Sequence, residues 1–218
     1  MKNILLVIAV LLYVNISIAQ NSSPGFYTFV SIGGGFTGES QLISTSYVAR
    51  GFKFIPYNPK LSGKFGIGYN SIAHLSDIKF SASIEAGYFS CSTNNSNHSP
   101  SQAQAEQKVI PITINLTISN EGKFSPFLKV GLGIENKIYE ETYENRPDYN
   151  VKADKWFMVI TGGGGLKYNL NEKFNIALLF EMAFIDGKLY ADNKYGWNTE
   201  YDGIQLNSYA GLQFGYSF

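Results

Sequence analysis

Gln205 to Phe218 reads QLNSYAGLQFGYSF. Taken every second residue, Leu206, Ser208, Ala210, Leu212, Phe214, Tyr216 and Phe218 form one set, and Gln205, Asn207, Tyr209, Gly211, Gln213, Gly215 and Ser217 form the other. A period of two, with one greasy set and one polar or small set, marks a β-strand whose faces meet different surroundings. The stretch ends on an aromatic residue, and the same alternation recurs seven times upstream.

In chain order the apolar sets are Phe26, Val30, Ile32 and Phe36; Leu61, Phe65, Ile67 and Tyr69; Ile78, Phe80, Ala82, Ile84, Ala86 and Tyr88; and Ile110, Ile112, Ile114, Leu116 and Ile118. Then come Phe124, Leu128, Val130, Leu132 and Ile134; Trp156, Met158, Ile160, Leu166 and Tyr168; and Phe174, Ile176, Leu178, Phe180, Met182 and Phe184. Pro111 cannot donate to a ladder and is expected at a rim. The connections alternate between long and short: long over 38–59, short over 70–77, long over 91–107, short over 120–123, long over 140–154, short over 169–173 and long over 187–203. That order predicts an all-β, eight-stranded antiparallel up-and-down barrel with tight turns at one end.

At the N-terminus, Lys2 precedes an apolar run from Ile4 to Tyr13 and then Ser17-Ile18-Ala19, the layout of a signal peptide over residues 1–19 with the barrel domain over 20–218. A spanning helix needs about 20 apolar residues, and this run is near half that. No Cys follows it for a lipid anchor. Without Lys2 the formal charge moves from zero to −1, which gives no basic face for nucleic acid. If the mature chain crosses a membrane it must do so as a closed barrel, because only helices and closed barrels satisfy their backbone hydrogen bonds in hydrocarbon.

Several motifs fail on context. Gly33, Gly35 and Gly38 match the spacing of a dinucleotide fingerprint, but TGESQLISTSYVARG follows in place of a helix. The glycines from Gly162 to Gly165 lack the Gly-Lys-Ser/Thr ending of a phosphate loop and read as close packing within a strand. Cys91, the single cysteine, and His98, read as sharing one polar loop, make no metal ligand set. Neither metal nor cofactor is expected.

Alternation alone fits a soluble barrel with its apolar set inside as well as a membrane barrel with it outside. Three features favour the second. The other face is rich in Gly, Ser, Thr and Asn, small enough for a narrow lumen. It also carries Lys64, Lys79, Lys129 and Lys167 with Glu85, Glu135 and Glu181, a near-balanced mixture expected to pair as an interior charge network. Finally, Phe26, Tyr69, Phe80, Phe124, Tyr168, Phe174, Tyr216 and Phe218 collect at the short-turn end of the apolar face as an aromatic girdle, with a thinner one of Phe36, Tyr88, Trp156 and Phe184 opposite.

With these features the chain resembles the small eight-stranded outer-membrane β-barrels of the outer membrane protein A and X type, over essentially its whole mature length. In that family an alternating last strand with a terminal Phe is the signal read by the barrel assembly machinery, and Phe214, Tyr216 and Phe218 are similar to it. The Gln after Ala19 resembles secreted proteins of the Bacteroidota. The resemblance implies a bacterial outer-membrane location with both termini periplasmic, outer-membrane lipids, lipopolysaccharide and the assembly machinery as partners, and a chain that stops at the barrel.

A wide, porin-like channel is not expected, since side chains fill an eight-stranded lumen. The leading functional expectation is a non-enzymatic structural or surface-binding protein. Tyr139, Glu140, Glu141, Tyr143, Tyr149, Trp197 and Tyr201 are read either as loop residues that anchor an extracellular ligand or as tyrosine pairs on strands rising above the membrane. An accessory barrel of an envelope secretion or assembly system is the alternative. A lipid A-modifying enzyme is the third reading. It needs a His near a nucleophile, and the chain offers only His74, placed in a short turn, and His98, between Ser96 and Ser99 in a polar loop.

Overall fold

A computed structural model describes residues 25–39, 58–75, 78–93, 103–143, 147, 150–192 and 198–218, some of them by backbone placement alone. The expected signal peptide, His98 with its neighbouring serines, Tyr149 and Trp197 lie outside the described residues.

Eight long strands are present: β1 (Gly25–Glu39), β2 (Leu61–Leu75), β3 (Ile78–Thr93), β4 (Ala103–Asn120), β5 (Phe124–Tyr143), β6 (Val151–Asn169), β7 (Phe174–Asp192) and β8 (Asn198–Ser217). Asn58–Pro59 continues β2 past Lys60, pairing with Ser92 and Cys91 of β3 one register step away from the Gly63–Tyr88 pairing. Every pairing is antiparallel and between neighbours in sequence, and β1 closes on β8 from Tyr27↔Ser217 to Glu39↔Gln205. The sheet is thus a closed eight-stranded barrel without a free edge.

The alternation decides inside from outside. Along β5, Leu128, Val130, Leu132 and Ile134 are exposed on the barrel's outer surface, while Ser125, Lys129 and Glu135 are buried in the lumen. Along β8, Leu212 and Phe214 are exposed and Asn207 and Tyr209 buried. The chain is therefore inverted relative to a soluble barrel, with its greasy face outward.

Several expected boundaries move. β2 runs through His74, which pairs with Lys79, so His74 belongs to the strand and not to the turn. The ladder absorbs the extra residues as an irregularity between Asn70 and Ala73. Pro111 sits inside β4 and away from a rim; it pairs with Glu135 of β5, while the β3 ladder has no pair between Ala86↔Ile112 and Phe89↔Val109. That gap in the ladder accommodates the missing donor.

The largest shift concerns the long connections. β5 reaches Tyr143 and β6 resumes at Val151; β7 reaches Asp192 and β8 starts at Asn198. A strand of 20 residues extends about 66 Å, well beyond the apolar band of roughly 25 Å that a membrane barrel needs. In these two connections much of what reads as loop by polarity is tall strand. Tyr201 pairs with Leu189 across β7 and β8, and Glu141 with Val151 across β5 and β6.

Candidate functional site

The lumen holds the chemistry, arranged in tiers. At mid-height, Lys64 of β2, Glu85 of β3, Lys129 of β5 and Glu181 of β7 form a ring of four charges. Lys64 Nζ lies 3.3 Å from Glu85, Lys129 Nζ lies 2.8 Å from the same carboxylate, and Glu181 is in close contact with both lysines. All four side chains are at most 5% exposed. Two ammonium groups against two carboxylates leave no net charge in a place where an unpaired ion would cost on the order of several kcal/mol. Ser83 also donates to Glu85, at 3.0 Å.

Glycine allows the ring to close. Lys129 and Glu181 flank Gly163 in the ladder, so no intervening side chain separates the two long ones. A methyl at Gly163 would stand 2.5 Å from the carbonyl oxygen of Phe180.

Toward the long-connection end two apolar clusters fill much of the lumen. Phe89, Val109, Leu179 and Tyr209 form one buried cluster. Cys91, Tyr139, Ala153, Phe157, Val159, Ala183 and Ile185 form a second. Tyr209 stacks on Phe89 with ring centroids 5.0 Å apart and donates its hydroxyl to Ser31 at 3.0 Å, tying β8 to β1. Lys64 Nζ stands 5.8 Å from the Phe89 centroid and 5.9 Å from that of Tyr209, so the plug covers the charge ring directly.

This plug corrects two expectations. Tyr139 is no loop anchor: it is buried inside the barrel, because the inward phase of β5 continues past Glu135. Cys91 lies in β3 within the same cluster and not in a polar loop. Glu135 is separate from the four-charge ring; it accepts a hydrogen bond from Asn207 and sits near the fully buried Lys137.

Toward the short-turn end the lumen widens into a vestibule lined by Lys79, Lys167, Tyr27, Asn175 and Gln213, with Glu121 at the β4–β5 turn. Of the seven charged residues singled out in the sequence, four therefore meet in the ring, Lys79 and Lys167 share the vestibule, and Glu135 stands in the upper lumen.

The turns that frame the vestibule are tightly bonded. Gly122 takes a φ of 147°, which glycine alone adopts readily. Its carbonyl accepts from Ser125 at 3.0 Å and from Asn169 at 2.6 Å. In the β6–β7 turn, Asn171 Oδ1 accepts from the backbone of Lys173 and Phe174 at 2.9 and 2.8 Å.

Outside, the aromatic girdle consists of direct cross-strand pairs. Phe26 and Tyr69 lie 5.2 Å apart between centroids, Phe124 and Tyr168 4.7 Å, and Phe174 and Tyr216 4.9 Å, with Phe218 edge-on to Tyr216 at 5.1 Å. Phe80 is opposite Ile118, at the same end. At the far rim Tyr88, Trp156 and Phe184 are exposed; Phe36 is placed by its backbone only, opposite Ser208. Above that rim a ladder of opposite charges runs from Lys60, just before β2, through β4 and β5 to β6. Lys60 pairs with Glu106 at 2.9 Å, Lys108 bridges Glu106 and Glu140 at 3.6 and 3.5 Å, and Lys152 pairs with Glu140 at 2.8 Å.

No family model matches the chain, and no curated protein matches it in sequence. Among solved structures, a major outer membrane protein from Thermus thermophilus is similar with a TM-score of 0.55 at 9% identity, over 88% of this chain and 99% of that one. The outer membrane protease OmpT from Escherichia coli is similar with a TM-score of 0.52 at 8% identity, over 93% and 100%. Neisserial surface protein A gives 0.50 at 10% identity, over 90% and 99%. At such identities the likeness is one of fold: this chain has the architecture of an outer-membrane β-barrel.

Proposed function

We propose that the protein is a bacterial outer-membrane barrel with a closed, side-chain-filled lumen and a non-enzymatic structural or surface-binding role exercised by its tall, long-connection end. One observation carries this reading: the outward face is a continuous apolar belt, with Leu128 68%, Leu132 62% and Met158 76% exposed. Soluble monomers do not leave such a belt to water, whereas lipid between two aromatic girdles covers it at no cost. The belt's partners are then outer-membrane lipids and lipopolysaccharide. Phe214 and Phe218, exposed on the terminal strand, are available to the barrel assembly machinery, and the termini face the periplasm.

The non-enzymatic part of the reading is supported by the lumen, whose central charges are consumed in pairing with one another. As a test, the chain should fractionate with outer membranes and migrate faster on a detergent gel before boiling than after it. Retention in the soluble fraction, with no heat-dependent shift, overturns the membrane reading. Lipid A from expressing cells should keep its mass. A mass change that disappears on His98→Ala replaces the non-enzymatic role with lipid A modification.

A further inference from the structure

The vestibule at the short-turn end has about 110 Å³ open to the centres of water molecules, several times the roughly 10–15 Å³ that one water requires. Three lysines line it, Lys79, Lys129 and Lys167. Lys129 is engaged in the ring by Glu85 and Glu181. Lys79 is buried, and Glu121 is the acid that acts on it.

Lys167 stands differently. The charges that act on it are Lys79, a repulsion, and that same Glu121. Among the described residues Lys167, which lines this protein-walled cavity, forms no ion pair of its own. The remaining acid of the lining, Glu172, is exposed on the β6–β7 turn. Side-chain amides of Asn175 and Gln213 line the same space. A cavity lined by a lysine without an ion pair of its own and by neutral N–H donors suits an acceptor of several hydrogen bonds carrying negative charge.

We propose that the vestibule is a binding site for a phosphate group, held between the ammonium groups of Lys167 and Lys79 and oriented by the amides of Asn175 and Gln213. The group is carried either by free phosphate or by a lipid headgroup presented at the mouth. The ring and the apolar plug close the cavity above, so the ligand enters and leaves by one opening and is bound, not conducted. The site needs only the barrel geometry and is independent of any role of the opposite end.

Isotope-labelled full-length mature barrel, refolded in maltoside micelles free of phosphate, is titrated by NMR with inorganic phosphate and, separately, with short-chain phosphatidylglycerol. Saturable shifts are expected at Lys79, Lys167 and Asn175 with at least one of the two, and the ligand that gives them identifies the source. Lys167→Met and Lys167→Gln both weaken binding about tenfold or more, as loss of a charge-assisted hydrogen bond would. Lys152→Met, on the outer charge ladder, leaves it unchanged. Heat-dependent gel mobility verifies that each variant is folded. No saturable shift with either ligand, or wild-type affinity in both folded Lys167 variants, overturns the proposal.

Discussion

Lys129 meets Glu85 across the lumen through both carboxylate oxygens, at 2.8 and 3.1 Å. The same ammonium also contacts Glu181, and Glu85 also contacts Lys64, so no member of the ring has a private partner. Breaking a buried pair leaves an uncompensated charge, at a cost of about 3–5 kcal/mol. Glu181→Ala should therefore destabilise the folded barrel by about that much, read from urea unfolding in lipid. Replacing all four residues with apolar ones of similar volume should cost less than the single change. A loss below about 1 kcal/mol for Glu181→Ala would mean that water already solvates the ring.

The plug makes interior and exterior apolar residues separable by experiment. Ile185 is fully buried in the lumen, whereas Met158 is 76% exposed on the outer face. Ile185→Ala should cost about 2–5 kcal/mol, since neighbours fixed on rigid strands cannot collapse into the cavity. Met158→Ala should cost clearly less in lipid. Equal losses would place both residues in the same environment and contradict the barrel's inside-out arrangement.

The charge ladder beyond the outer apolar band gives a pH dependence of defined sign. The hydrogen bond from Lys60 holds the Glu106 carboxyl below the usual carboxylate range, and that from Lys152 does the same for Glu140. A carboxyl with a depressed folded pKa stabilises fully above its unfolded value and loses that stabilisation as pH falls through the folded one. The rim ladder should therefore weaken as pH drops below about 4.5. Glu106→Gln with Glu140→Gln should remove that part of the acid sensitivity, and high salt should blunt it in the parent, because these side chains are partly solvated. Identical acid profiles for parent and double variant at low salt would show that the ladder contributes nothing.

How much was legible follows from what period two encodes. Parity placed Leu212 and Phe214 outward and Lys129 and Glu181 inward, because a strand has only two faces and one slip exchanges them all. Parity says nothing about height, so Glu135 and Glu181 read alike although only Glu181 joins the ring. It also groups Phe89, Tyr139 and Ile185 with the polar set by position while their chemistry says apolar. Continued alternation from Glu135 through Lys137 to Tyr139 was the available signal for the plug. Strand ends were lost for a related reason: beyond the outer apolar band the outward set turns polar, and polarity alone reads as loop.

Neighbouring glycines on β6 should respond oppositely to one methyl group. At Gly165 an added Cβ would stand 1.9 Å from the carbonyl oxygen of Leu178 and 2.8 Å from the ring of Phe127. At Gly162 it would meet nothing within 4 Å. Gly165→Ala should lower refolding yield, since backbone of the adjoining strand would have to move. Gly162→Ala should be neutral or stabilising by a few tenths to about 1 kcal/mol through reduced freedom of the unfolded chain. Tolerance of both would mean that the β6–β7 ladder is looser than its pairing implies.

Phe218 separates assembly from stability. Its ring is 72% exposed and touches Tyr216 edge-on, while its backbone N–H donates to the Phe26 carbonyl at 2.9 Å. Deleting it removes one terminal hydrogen bond and one aromatic contact, each worth about 0.5–1.5 kcal/mol, from a barrel whose β1–β8 seam continues from Tyr27↔Ser217 to Glu39↔Gln205. A purified, refolded deletion variant should therefore lose little stability. If the exposed terminal aromatic is what the assembly machinery reads, the same deletion should sharply reduce the folded, heat-modifiable protein recovered from outer membranes. Restoring any C-terminal aromatic should rescue it, and restoring a serine should not. Equal recovery with and without Phe218 would reduce the residue to an ordinary member of the girdle.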